Sequence, residues 1–153
     1  MDNDWGMILG IPRTPFLLTL AGAIPFLWGA LTVLMPGVNA WGIATIGPRF
    51  VGPYVQLFYG AIILAFMSGV LWGFAAKHDY SIGYGLSVIP ALWAFFMTGG
   101  GPTTAAMNLC MGFLAVLLLD WHFWRLEITP AWWFKLRVII TAIVIASFIP
   151  LIF

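Results

Sequence analysis

Five long apolar stretches, separated by charged residues, glycines or prolines, constrain this chain more than any other feature of its sequence. A helix needs about 20 apolar residues to cross the hydrocarbon core of a bilayer. Backbone groups in lipid must be hydrogen-bonded within the protein, and these stretches are too long for the strands of a small β-barrel. Each is therefore predicted to be a transmembrane helix. The predicted helices occupy residues 16–35, 54–76, 81–98, 103–121 and 134–153.

The composition excludes a water-soluble fold. Of the 153 residues, 63% are hydrophobic and 7% are charged, whereas soluble domains carry about 25% charged residues. The sequence predicts an all-α polytopic membrane protein in which residues 1–153 form one transmembrane helical domain. The acidic start, Met1 to Asp4, does not resemble a secretory signal, so the first apolar stretch is expected to stay in the mature protein.

The charges that flank the apolar stretches predict the orientation of the chain. Five crossings place the two termini on opposite sides of the membrane. The N-terminal side collects five Lys or Arg residues, and the other side has Arg49 alone. By the positive-inside rule, the N-terminus is predicted to face the cytoplasm or a mitochondrial matrix. The five cations are Arg13, Lys77, Arg125, Lys135 and Arg137.

Two packing signals lie within the predicted helices. Ala61, Ala65, Gly69 and Gly73 recur every four residues along the second helix, which lets another helix approach closely. The partner helix belongs either to the same chain or to a neighbouring subunit, and the first alternative is favoured because such stripes are common inside helical bundles. Asn108 is the most costly of the mid-membrane polar side chains to bury alone, so it is expected to hydrogen-bond to another helix.

The first and third predicted helices share a pattern centred on proline. Residues 24–29 read Ile-Pro-Phe-Leu-Trp-Gly, and residues 89–94 read Ile-Pro-Ala-Leu-Trp-Ala. Pro25 and Pro90 are predicted to kink their helices. The kinks either expose backbone carbonyls to a substrate, as the broken helices of transporters do, or only fit the helices to their neighbours. The shared pattern also points to a duplicated helical hairpin followed by one helix, with chance similarity as the alternative.

The ionisable residues map to helix ends and loops, which leaves no buried ion pair and no catalytic residue to assign. His78, His122 and Asp120 share the inner end of the predicted bundle and are weak candidates for metal or haem ligands. In the alternative interpretation the histidines are neutral at the interface and Asp120 pairs with a cation in the headgroup region. The candidate cations, which could also bind headgroups or a partner, are Arg13, Lys77 and Arg125.

Two stretches carry a family resemblance. They are residues 11–15, continuing through 20–26, and residues 59–66, continuing to Gly69 and Trp72-Gly73. They resemble the domain-of-unknown-function family 3429, the transmembrane protein 69-like membrane proteins. The resemblance implies a small multipass protein of the bacterial inner membrane, with mitochondrial relatives and no assigned activity. Arg13, held between two prolines, could then bind a phosphate or a carboxylate, or simply extend towards water.

Together these features favour a non-enzymatic inner-membrane protein, an accessory or assembly subunit that packs against a larger membrane complex. A small oligomeric transporter or channel that uses the proline-kinked helices is the first alternative, and a haem- or redox-handling membrane protein is the second. No cofactor is predicted. The expected partners are membrane lipids and an integral membrane protein or a second copy of the chain, with no nucleic acid. The apolar outer segment 36–53 either packs on the helix ends or re-enters the membrane.

Overall fold

The computed structural model describes residues 6–153, so the acidic start of the chain lies outside the described range. Within that range the fold is all-α apart from a short hairpin of two strands, each two residues long. Four of its helices, α1, α3, α5 and α6, are long and apolar enough to cross a membrane, and α4 is a shorter apolar helix. The prediction of an all-α polytopic membrane protein is confirmed. The elements are β1 Met7–Ile8, β2 Ile11–Pro12, α1 Arg13–Leu34, α2 Pro36–Ile46, α3 Tyr54–Lys77, α4 Ser81–Met97, α5 Pro102–Arg125 and α6 Trp133–Ile152.

The outer segment contains a helix that the sequence analysis did not predict. Helix α2 begins with Pro36 at its first position, where proline is favoured because its missing N–H would have no intrahelical partner. The segment then turns back onto the last two turns of α1. The Trp28 indole Nε1 donates to the Phe50 carbonyl over 2.7 Å, and the Gly52 amide donates to Thr32 Oγ1 over 2.8 Å. The outer segment therefore packs on the end of α1.

The core lies where α1, α3, α5 and α6 meet. The Phe26 ring on α1 makes edge contacts with Phe113 on α5 and Phe148 on α6, with ring centroids 5.9 Å apart in each case. Tyr59 on α3 joins the same cluster, with its ring centroid 5.1 Å from that of Phe26. Each such pair contributes about 0.5–1.5 kcal/mol beyond the burial of its area. Close aromatic packing thus holds the long helices together.

Helix α4 packs antiparallel on α3. The Ala91 amide, next to Pro90, donates to Ser68 Oγ on α3 over 2.9 Å. Asn108 on α5 donates through Nδ2 to the Met97 carbonyl at the end of α4 over 2.8 Å, so the interhelical bond expected of Asn108 is confirmed. Pro90 is itself buried. These contacts favour the interpretation in which the proline in α4 fits the helix to its neighbours.

The shared proline pattern has a shared structural consequence. Trp28 and Trp93, each three residues after its proline, donate their indole N–H to a backbone carbonyl of a later segment, both over 2.7 Å. Trp28 bonds to the Phe50 carbonyl and Trp93 to that of Asn108. In both patterns the tryptophan therefore ties its helix to the segment that follows it. The duplication itself stays a prediction.

The close approach of Gly52 to α1 allows a test of whether the outer segment packs on that helix. A Cβ at Gly52 would lie 2.5 Å from the Gly29 carbonyl oxygen and 2.5 Å from Val33 Cγ2. We expect Gly52→Ala to lower the free energy of unfolding by about 1–3 kcal/mol, since the backbone of α1 cannot move aside easily. Thermal unfolding of the purified protein in detergent measures this. Gly37→Ala is the control, because nothing lies within 4 Å of that position; equal melting temperatures for the two variants would contradict the packing described.

A buried ion pair and a lipid-facing cavity

Asp120 on α5 and Arg137 on α6 form a buried ion pair. Asp120 is completely buried and Arg137 is 6% exposed. Arg137 Nε donates to Asp120 Oδ2 over 2.6 Å, and Trp133 Nε1 donates to Oδ1 over 2.7 Å. Both carboxylate oxygens are therefore hydrogen-bonded, which is what a charge removed from water requires. No other ion pair is found within residues 6–153.

The pair corrects two predictions. Asp120 does not pair with Arg13, Lys77 or Arg125 in the headgroup region, and not every ionisable side chain lies at a helix end or in a loop. Asp120 lies five residues before the end of α5, and Arg137 lies four residues after the start of α6. Because the two helices are antiparallel neighbours, these similar offsets of about 6–8 Å bring the side chains to a similar depth. The similar distances of Asp120 and Arg137 from the facing ends of two consecutive helices are the signal for this pair in the sequence.

Arg137 has hydrogen-bond donors that the ion pair with Asp120 does not use. A guanidinium carries five N–H donors, and Arg137 Nη2 is buried without a hydrogen-bond partner among the described residues. Thr141, one helical turn further along α6, has a buried hydroxyl Oγ1 that also lacks a partner there. An unpaired buried polar group costs about 1–3 kcal/mol, more when it is charged. One stretch of α6 therefore presents two unsatisfied polar atoms.

Both residues lie on the wall of a cavity of about 440 Å³ enclosed by α1, α3, α5 and α6. Ligand pockets typically have about 300–1,000 Å³. Leu18 on α1 and Phe66 on α3 also line it, and they are 68% and 64% exposed on the outer surface of the bundle. The cavity thus opens sideways between α1 and α3, towards lipid in a bilayer. The remaining walls are mainly apolar and include Phe26, Tyr59, Met67, Phe113 and Val144.

The candidate metal ligands are not brought together. Asp120 is bonded to Arg137 and Trp133, while His122 Nε2 lies 3.0 Å from the Tyr80 hydroxyl. His78 is exposed at the end of α3. Among residues 6–153 there is no group of three or more His, Cys, Asp and Glu side chains placed to hold a metal ion. The weak metal candidacy of these three residues gains no support from their placement, because Asp120 turns towards α6 and not towards the histidines.

The other basic candidates lie on the surface. Arg13, Lys77 and Arg125 are exposed at helix ends, and the Arg125 guanidinium carbon lies 5.5 Å from the centre of the Trp121 ring. Lys135 Nζ donates to the Leu9 carbonyl over 2.6 Å, which fixes the short hairpin against the start of α6. The binding of headgroups or of a partner by Arg13, Lys77 and Arg125 stays a prediction.

The small-residue stripe on α3 faces outward. Ala65, Gly69 and Gly73 are exposed and Ala61 is half-buried. A Cβ added at either glycine would meet nothing within 4 Å. The favoured interpretation, packing within the same chain, is therefore wrong for Ala65, Gly69 and Gly73, whereas Ala61 packs against the core of the chain. The face of α3 that does pack inward carries Gly60, Leu64, Ser68, Leu71 and Ala75.

The family described as "Protein of unknown function (DUF3429)" matches residues 11–153. The chain belongs to this family. It is 32% identical over 146 residues to Transmembrane protein 69 of Xenopus tropicalis, covering 90% of this chain and 53% of the relative. It is 31% identical over 149 residues to Transmembrane protein 69 of Mus musculus, covering 93% of this chain and 56% of the relative. No solved structure matches it significantly.

The chain thus spans about half the length of these curated relatives. The resemblance drawn from residues 11–26 and 59–73 is confirmed, and the relatives are transmembrane proteins by name. The matched region includes α1 to α6 and both partners of the buried ion pair.

A double-mutant cycle tests the ion pair. We expect Asp120→Asn and Arg137→Gln each to lower the free energy of unfolding by about 3–5 kcal/mol, because each leaves a buried charge unpaired. The double variant should lose clearly less than the sum, since both charges are then absent. Thermal unfolding in detergent measures all three, and Asp79→Asn, at an exposed acid, is the neutral control. Additive losses would show that the two side chains do not interact.

Proposed function

We propose that this chain is a non-enzymatic accessory or assembly subunit that packs against a larger complex in the bacterial inner membrane. The observation that carries this proposal is the exposed small-residue face of α3. A helix of another membrane protein is the occupant that this face fits, and a second copy of the chain is the alternative that the experiment below separates from it.

The geometry of this face suits a transmembrane helix. Gly69 and Gly73 lie one turn apart, and no other part of the described chain comes within 4 Å of a Cβ placed there. Phe66 and Trp72 lie three residues before and after Gly69, so they project on opposite sides of it. They are 64% and 48% exposed. Small residues between two large side chains form a shallow groove, in which a second helix gains backbone contacts and dispersion energy that lipid tails supply less well.

The interior of the bundle supports a non-enzymatic role. The buried charges, those of Asp120 and Arg137, neutralise each other and are hydrogen-bonded. The His122 ring and the Tyr80 hydroxyl are in contact, but neither residue lines the cavity. The candidate metal ligands within residues 6–153 are apart. A haem- or redox-handling role therefore has little support. The transporter alternative is supported by the cavity, although neither Pro25 nor Pro90 lies on its wall.

The proposed orientation has the N-terminus in the cytoplasm and the C-terminus in the periplasm. Arg137 is left out of the charge count because it is buried inside the bundle and does not lie in a loop. The remaining inner cations are four, against Arg49 on the other side, so the imbalance persists. The inner cations are Arg13, Lys77, Arg125 and Lys135.

Reporter fusions in a bacterial host test the orientation. Alkaline phosphatase fused after Phe153 is expected to be active, since it folds only in the periplasm, and green fluorescent protein at the same place is expected to be dark. Fusions after Asp79, in the connection between α3 and α4, should give the reverse. An active phosphatase after Asp79 together with an inactive one after Phe153 would overturn the proposed orientation.

Photocrosslinking in native membranes tests the docking face. A benzophenone amino acid at Trp72 is expected to crosslink to a transmembrane helix of another protein, and the same residue at Phe95, an exposed position on α4, is the matched control. Gly69→Leu with Gly73→Leu should abolish the Trp72 crosslink, because the added side chains fill the groove. The melting temperature should change little, since neither glycine packs within the chain.

The crosslinked peptide decides between the occupants. A peptide from a transmembrane helix of another membrane protein, lost in the double-leucine variant, supports the accessory role. A peptide from α3 of a second copy would replace that role with a homo-oligomer. Crosslinks to lipid alone, or a crosslink that survives the double-leucine variant, would overturn the use of this face.

A further inference from the structure

The cavity that Arg137 lines has the features of a ligand site. It is enclosed by four helices, holds about 440 Å³ and is lined mostly by apolar side chains. Its wall includes Arg137 and Thr141, which are 6% and 2% exposed and each carry a buried polar atom without a partner among the described residues. Binding pockets characteristically combine apolar walls with a few polar groups that orient the ligand.

The two unsatisfied atoms define what the ligand must offer. Arg137 Nη2 can only donate a hydrogen bond, and a threonine hydroxyl can donate or accept. They lie four residues apart on α6, so they are adjacent on one face of the helix. A ligand with a hydrogen-bond acceptor near this face would give both atoms a partner.

The charge of the site selects a neutral acceptor over an anion. The guanidinium of Arg137 is already paired with Asp120, whose other oxygen accepts from Trp133. The local charge is therefore zero, and an added carboxylate or phosphate would be repelled by Asp120 in a medium that screens charge poorly. A neutral carbonyl or ester oxygen accepts hydrogen bonds without that cost.

The opening of the cavity selects a lipid-soluble molecule. The exposed rim residues Leu18 and Phe66 belong to α1 and α3, so the mouth faces the side of the bundle. A ligand that enters there arrives from the hydrocarbon region, and its apolar body can rest against Phe26, Met67 and Phe113.

The geometry points to a binding site, built by α1, α3, α5 and α6, for one lipid-soluble molecule whose neutral carbonyl oxygen accepts hydrogen bonds from Arg137 and Thr141. Two sources share this chemistry: the carbonyl of a lipid quinone and the ester carbonyl of a neutral glyceride. All residues of the site belong to one chain. The proposed ligand binding therefore does not depend on whether a partner helix binds the small-residue face of α3.

Binding is measured with four probes added to the purified protein in nanodiscs. Decyl-substituted benzoquinone and dioctanoylglycerol carry neutral carbonyls, decanoate carries an anion, and decane carries neither. Thermal unfolding reports binding because a ligand of the folded state raises the melting temperature. We expect one or both carbonyl probes to raise it in a saturable manner and decane to raise it less. The carbonyl probe with the higher affinity identifies the source.

Two variants locate the effect. Thr141→Val keeps the shape of the side chain and is expected to weaken binding of the carbonyl probe about three- to tenfold, the loss of one hydrogen bond. Thr98→Val is the matched control, because that hydroxyl bonds to the Ala94 carbonyl of its own helix, outside the cavity. Gly22→Leu places a side chain on the cavity wall and should abolish binding.

Three results would overturn the proposal: equal stabilisation by decane and the carbonyl probes, tighter binding of decanoate than of either neutral probe, or unchanged affinity in Thr141→Val. If Gly22→Leu does not fold, Thr141→Val and its control decide the question alone.

Discussion

The bond between Asp120 and Arg137 is the constraint on which the inner half of the bundle depends. Neither charge is tolerable in lipid without the other, so α5 and α6 can pack only in the register that brings the two side chains together. Trp133 completes the arrangement by donating to the second carboxylate oxygen. Because Arg137 also lies on the cavity wall, the same pair that fixes two helices sets the charge of the cavity.

The outer half is held by uncharged hydrogen bonds. Gln56 is completely buried and donates through Nε2 to the Ser147 carbonyl over 2.7 Å, which joins α3 to α6. Thr32 Oγ1 accepts from the Gly52 amide, which joins α1 to the segment that follows α2. Polar side chains that bond to backbone groups across helices avoid unsatisfied donors at membrane depth. The bundle is thus closed by an ion pair at one end and by amide and hydroxyl bonds at the other.

The mouth of the cavity and the small-residue face of α3 are adjacent. Phe66 lies on the rim of the cavity and also flanks the small-residue face of α3. A partner helix seated on Gly69 and Gly73 would therefore lie beside the mouth of the cavity. Under the proposed accessory role, the partner and a lipid-soluble ligand would meet at one side chain, and occupancy of one surface would change access to the other.

The sequence by itself determined the membrane class, the all-α fold and the approximate helix bounds, because length and hydropathy are local properties of the chain. The predicted starts at residues 54 and 81 coincide with those of α3 and α4. Only the tertiary structure decided which helix faces meet, and hence the partner of Asp120, the exposure of Gly69 and Gly73, and the cavity. Helices that are apolar on every side carry little information about their rotation in the bundle, so those choices come from side-chain packing and from the pairing of two charges distant in sequence.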